Sequence, residues 1–164
     1  MKKFAVIILA LLSLTTANSQ TIGLGEKTPK LKDAKWLNGN MPARSKYTYI
    51  SFIHSLSQPC RELAETTYNT ISQRDDISFI LISRESATDI EQWVTRYISP
   101  RSGVIVDGEH LRRTLGISYA PFALIVDSKH RALWFGNPRM LNKELLEHLL
   151  SKQNRLLEKK TTKN

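Results

Sequence analysis

The chain is nearly devoid of cysteine: Cys60 is the only one in 164 residues. A lone thiol excludes an intramolecular disulfide. It leaves three states for that sulfur: buried and inert, reactive, or bridged to another molecule. Histidine is sparse as well. His54, His110, His130 and His148 have no ligand spacing with one another, with Cys60 or with a carboxylate, so no metal is expected. A second long apolar run is missing. The only one is Phe4 to Leu14, broken by Ser13, and it is too short to cross a bilayer comfortably. Internal repeats and low-complexity tracts are absent too. Acidic residues are in deficit, 15 against 24 basic, for a formal net charge of +9.

The short apolar run has a function of its own. Lys2 and Lys3 precede it, and Ala17-Asn18-Ser19 follows with small residues at both recognition positions of a cut before Gln20. Residues 1–19 therefore read as a signal peptide. The mature protein is expected to be exported and soluble, periplasmic or extracellular. If the leader stayed uncleaved it would act as an N-terminal anchor; no cysteine follows it to carry a lipid. The excess charge lies at Arg112-Arg113, Lys129 to Arg131 and Lys159-Lys160 to Lys163. A positive surface attracts nucleic acid or anionic membrane. Export, and the lack of aromatic residues interleaved with basic ones, argue against nucleic acid. A solvated charged face is the plainer reading.

Length suits one domain with a real core. Residues 20–45 hold Gly23, Gly25, Pro29, Gly39 and Pro42, an irregular lead-in with one short strand near Ala34 to Leu37. It is expected to pack on a domain spanning residues 46–160. Lys46 to His54 is rich in β-branched and aromatic residues, a strand. Cys60 to Gln73 places Leu63, Thr67, Thr70 and Ile71 at helical spacing. Ile77 to Ser83 is almost continuously apolar, as in a strand buried on both faces. Ile90, Trp93, Val94, Tyr97 and Ile98 mark one face of a helix over Thr88 to Ile98. Val104 to Val106 is a short strand, and Glu109 to Leu115 a short helix stopped by Gly116. Phe122 to Val126 and Ala132 to Phe135 flank a polar turn, so they form a hairpin. Asn142 caps a last helix to Lys159, with Leu145, Leu149 and Leu156 as its packing face. Trp36, Trp93 and Trp134 are expected in the core or at its edge. Alternating strands and helices call for parallel pairing, and the closing hairpin adds an antiparallel pair.

Three segments carry a family resemblance. Phe52-Ile53-His54-Ser55-Leu56-Ser57-Gln58-Pro59-Cys60-Arg61 aligns without gaps on F-W-A-x-W-C-G-P-C-R. Leu115 to Pro121 resembles Y-G-V-x-x-x-P, and Phe122 to Arg131 resembles T-x-F-L-I-D-x-x-G-x. Together they resemble the exported TlpA/ResA-type thioredoxin-like proteins and redoxins over roughly residues 25–150. The resemblance implies an α/β, thioredoxin-like fold: a mixed central sheet flanked by helices, with a cis-proline loop at Pro121 facing the site. It implies no cofactor.

The departures from the pattern concern chemistry. Ser57 stands where the family carries its attacking cysteine, and Cys60 aligns with the second, resolving one. Disulfide exchange needs a thiolate attacking sulfur, which a serine hydroxyl cannot replace. Ser51 replaces a buried acid, Leu56 a flanking tryptophan, and Glu65 a helix-kinking proline. Ser57 is expected to cap the helix through the Cys60 N–H; no elbow glycines surround it to make it a hydrolase nucleophile. Cys60 is either a half-buried, weakly reactive thiol or one activated by the helix N-terminus, with Arg61 and His54 as possible helpers. Ser57 and Cys60 match the peroxiredoxin T/S-x-x-C, but Ile53 replaces the proline that pattern wants. The expected function is a partner- or peptide-binding module with a degenerate site. Ser57, Pro59, Ala120 and Pro121 would form the binding surface beside Cys60, the candidate catalytic residue. Tyr119 and Phe122 would sit nearby, and the backbone before Pro121 would pair with an extended chain. The alternative is a single-cysteine redox protein working by mixed disulfide or as a peroxidase. A structural domain with an unused groove is a third reading, and a disulfide-linked dimer through Cys60 stays open.

Overall fold

The computed structural model describes residues 22–161; the leader expected over residues 1–19 lies outside them. Five strands form one sheet: β1 Tyr47–Ile53, β2 Ile77–Ser83, β3 Ser102–Ile105, β4 Phe122–Asp127 and β5 Ala132–Gly136. Their spatial order is β3-β2-β1-β4-β5. The β1–β2 and β2–β3 pairs are parallel, and the β1–β4 and β4–β5 pairs antiparallel. The sheet is therefore mixed, as the element order required. The helices are α1 Gln58–Ile71, α2 Ala87–Val94, α3 Glu109–Thr114 and α4 Lys143–Thr161.

The sheet separates two apolar layers. Side chains alternate along β1: Tyr47, Tyr49 and Ile53 face one layer, Ile50 and Phe52 the other. The first layer receives Cys60, Ala64 and Ile71 from α1, Ile90 and Val94 from α2, and Leu146 and Leu150 from α4. The second receives Leu111 from α3 together with Ile22, Leu31 and Trp36 from the lead-in. Tyr49 stacks on Phe79 at 5.4 Å between centroids, and Tyr68 and Tyr97 meet edge-on at 5.2 Å. Every residue of β2 is buried, because helices or lead-in cover both faces.

The lead-in ties down both edges of the sheet. The N–H of Gly25 donates to Ala132 O at 2.7 Å, and that of Ala132 to Glu26 O at 2.9 Å, alongside β5. At the opposite edge Leu37 N–H donates to Val104 O, and Val106 N–H to Lys35 O, both at 2.9 Å. The strand expected near Ala34 to Leu37 is reduced to a single bridge between Trp36 and Ile105. Two neighbouring bends keep it from extending.

Local chemistry sets the other boundaries. The helix expected from Thr88 to Ile98 tightens to a 3-10 turn at Thr95–Tyr97, so the α-helical part ends at Val94. Gly116, at φ 66°, stops α3 in the left-handed region a glycine tolerates. In the β4–β5 turn Asp127 accepts the N–H groups of Lys129 and Arg131, both at 2.9 Å, and pairs with the Arg131 guanidinium at 2.6 Å. Asn142 caps α4 through the Leu145 N–H at 2.8 Å. The packing face of α4 is one residue out of step with expectation. Leu146 and Leu150 are buried, Leu145 and Leu149 only half-buried, and Leu156 is exposed. A leucine-rich helix offers two adjacent stripes, and packing into the first apolar layer selects between them.

Candidate functional site

Parallel pairing of β1 with β2, in register at Ile53–Ser83, sets the loops after these strands side by side. The carboxyl ends of parallel strands are where open α/β sheets build their clefts. Here a cleft of about 240 Å³ opens, walled by Phe52, His54, Ser57, Arg84, Arg112 and the Ser118–Ala120 loop. Ser57 and Ala120 thus meet across one cavity. Pro59 is exposed in the first turn of α1, and Pro121 is half-buried behind the loop; neither lines the cleft. The Ala120–Pro121 peptide is cis.

Ser57 precedes α1 with extended backbone, φ −88° and ψ 110°, and its Oγ accepts the Cys60 N–H at 3.4 Å. Its carbonyl accepts the Arg61 N–H at 3.2 Å. Pro59 sits in the first turn, where a missing N–H costs nothing. The thiol lies beneath this cap. Cys60 is 0% exposed and packs in the first apolar layer rather than being half-buried. Three residues into the helix, its side chain points back toward the sheet and away from the cleft. Ser51, on the same layer, is also buried.

His54 does not turn to Cys60. Its Nδ1 accepts the Leu56 N–H at 3.3 Å and lies 3.4 Å from Glu85 Oε1, an ion pair when the ring is protonated. Glu85 is the centre of a small polar network. Its carboxylate accepts the Ser55 N–H at 2.8 Å, the Ser55 hydroxyl, and the Ser83 hydroxyl at 2.8 Å. Burial pushes the Glu85 carboxyl toward protonation, but these donors and the His54 charge outweigh it and hold the group below the usual carboxylate range. On the opposite wall Arg112 donates to both Glu109 oxygens at 2.9 and 2.8 Å and to Ile117 O at 2.6 Å. The Arg112 hydrogen bonds hold Glu109 low as well, with Arg113 and Arg84 adding charge.

Glu85, Ser55, Ser83, Arg84 and Arg112 escaped the sequence reading. Arg84-Glu85 follows directly on a fully buried strand, and that position was the available signal. Among the described residues no group of three or more histidine, cysteine or carboxylate side chains is arranged to hold a metal, and no helix is long and apolar enough to cross a membrane.

No family model and no curated protein matches this chain. Solved structures do. A thio-disulfide isomerase from Thermus thermophilus is 19% identical, with a TM-score of 0.60 over 79% of this chain and 95% of that one. The thioredoxin domain of a thiol-disulfide oxidoreductase from Bacteroides vulgatus is 16% identical, with a TM-score of 0.60 over 80% and 98%. A secreted disulfide oxidoreductase of Mycobacterium tuberculosis is 13% identical, with a TM-score of 0.56 over 73% and 93%. Likeness at such identities concerns architecture, and with the mixed five-stranded sheet and its flanking helices it gives the protein a thioredoxin-like fold.

Proposed function

We propose that this protein is an exported thioredoxin-fold binding module that has lost dithiol exchange and holds an extended segment of a partner in the Ser57–Ala120 cleft. One observation carries the reading: the only thiol is fully buried under the Ser57 cap while the cleft in front of it is open. Exchange needs a thiolate that reaches a disulfide sulfur in line. Ser57, at the mouth, offers a hydroxyl, and Cys60 offers no accessible surface. The cleft keeps what a binding surface needs: a loop of exposed backbone at Ser118 to Ala120 and apolar walls from Phe52 and Ile82. Export is supported by the leader pattern of residues 1–19 and by the secreted protein among the structural neighbours. The single-cysteine redox alternative requires Cys60 to surface first.

Two measurements test the reading together. The protein is expected not to accelerate insulin reduction by dithiothreitol; acceleration above the uncatalysed rate contradicts it. Immobilised protein is expected to retain unstructured nonapeptides, and Ser118→Trp, which fills the cleft from an exposed position, is expected to abolish retention. Equal retention by the Ser118→Trp variant would place binding elsewhere.

A further inference from the structure

The cleft has a charge of its own, and it falls on one residue. Arg84 is exposed at the end of β2 and lines the cavity. Among the described residues it makes no hydrogen bond and no ion pair. The carboxylates around it are already taken. Glu109 is held by Arg112 at 2.8 Å and approached by Arg113 at 3.7 Å. Asp107 is held by Lys35 at 2.6 Å. Glu85 turns inward to Ser55, Ser83 and His54. Three guanidinium groups therefore share the field of Glu109, and Arg84, which lines the cavity, is the one among them with no carboxylate in ion-pair contact. Two large apolar side chains are exposed on the segments that supply the cleft, one of them, Tyr119, in its lining. Leu56, next to Ser57, is 85% exposed, and Tyr119 is 53% exposed while its ring is held edge-on against Phe122 at 5.5 Å. Large exposed apolar groups flanking a concave site mark a contact surface.

We propose that the cleft selects extended segments bearing a carboxylate side chain, which seats on Arg84 while the flanking apolar residues of the segment lie against Leu56 and Tyr119. The proposal rests on the peptide-holding reading above and adds the chemistry of the peptide. The guanidinium fork suits a carboxylate in two-point contact. The cavity is only about 240 Å³, room for one or two side chains rather than a folded element.

The probe is a set of nonapeptide pools, random except at the central position, which is Asp, Glu, Asn, Gln or Lys in turn. Retention on the immobilised wild-type protein is compared with retention on Arg84→Gln and on Arg84→Lys. At low salt the acidic pools are expected to be retained about fivefold better than their amide counterparts, the size of a partly exposed ion pair. Arg84→Gln should bring the ratio of acidic to amide retention on the same variant to about one, whatever its overall retention, and Arg84→Lys should keep part of the preference. Equal retention of all five pools overturns the acidic preference and leaves peptide binding standing. A preference that survives Arg84→Gln overturns the assignment to Arg84. Retention of no pool, with the circular dichroism of a folded protein, sinks this proposal and the binding reading alike.

Discussion

Burial of Cys60 sets the rate at which its thiol can be labelled. With no exposed surface, the sulfur reacts only after the first turn of α1 leaves the sheet. That opening breaks the Ser57 cap, worth about 1 kcal/mol, and exposes a buried side chain of cysteine size, worth about 2 kcal/mol. It also unseats part of the contact made by Ala64, for about 1 kcal/mol more. An opening free energy of about 4 kcal/mol slows labelling about a thousandfold relative to the unfolded chain. If the thiol is released only by global unfolding, the slowing is larger still. The assay is the rate of reaction with a chromogenic disulfide reagent at mildly alkaline pH, with and without denaturant. Ser57→Ala is expected to raise the native rate about fivefold, by removing the cap. A native rate within about tenfold of the denatured rate would refute the argument, because it would mean that the sulfur already meets solvent.

Four further outcomes follow from the geometry. Gly108→Ala is expected to cost about 1 to 3 kcal/mol in chemical denaturation, since a Cβ there would lie 2.4 Å from Ile82 Cγ2 and 3.1 Å from Ser83 O; an unchanged midpoint would contradict that packing. Because the Glu85 carboxyl is held below its ordinary value of 4.5, its contribution is present above that value and is lost as pH falls through the lower native one. Acid unfolding followed by circular dichroism should thus be less steep in Glu85→Gln, while that variant should be less stable by about 1 to 2 kcal/mol at neutral pH. Tyr49, fully buried, has its phenol pushed up to about 12 by desolvation, against hydrogen bonds to Ser51 and Thr67 that oppose the rise. Stability should consequently fall between pH 10 and about 12, with Tyr49 phenolate absorbance appearing only at the end of that window or on unfolding. Leu146→Ala should destabilise by about 2 to 4 kcal/mol and Leu156→Ala by under 0.5 kcal/mol, and reversal of that order would restore the α4 face the sequence alone suggested.

The strands and their pairing were readable because their signals are local and redundant. The Ile77–Ser83 run is short, β-branched and apolar, as a strand buried on both faces is, and the polar Asp127–His130 segment between two apolar runs suits a turn. The stripe on α4 was not readable. Leu145, Leu146, Leu149 and Leu150 satisfy two helical faces equally, and tertiary contact decides between them. The thiol was placed correctly in sequence and too near the surface in space, since spacing fixes where Cys60 sits in the helix but not how deep the helix packs. The cleft was only half legible. Ser57 and Ala120 could be named from motif positions. For Glu85 and Arg84 the one signal was their place directly after the buried β2 run; their partners arise from register, since the Ile53–Ser83 pairing brings the loop after β2 against the loop after β1.

The cleft's supports also show how a site of this shape would stand without a second thiol. A cysteine and a serine at the start of α1 both accept the Cys60 N–H, so the helix start does not depend on which is present. The thiol beneath is held by apolar packing and asks nothing of the residue at 57. The Glu85 network orients His54 and Ser55 from the β2 side, independent of either. The cleft walls thus derive from three separate supports: the helix cap, the Glu85 hydrogen bonds and the α3 ion pairs of Glu109. None of them requires sulfur. Placing a sulfur at residue 57 is therefore a discriminating perturbation. Ser57→Cys should leave the fold and the cleft intact and place two sulfurs at a helix-cap spacing where they can bond. If this variant gains insulin-reducing activity, only the attacking thiol was missing. If it forms the disulfide yet stays inactive, Ser51 and Leu56 remove function as well, and the surface has been reshaped for holding a partner rather than for exchange. If it fails to form the disulfide in the folded state, the burial of Cys60 keeps its sulfur from residue 57, and the expectation that the two can bond is overturned.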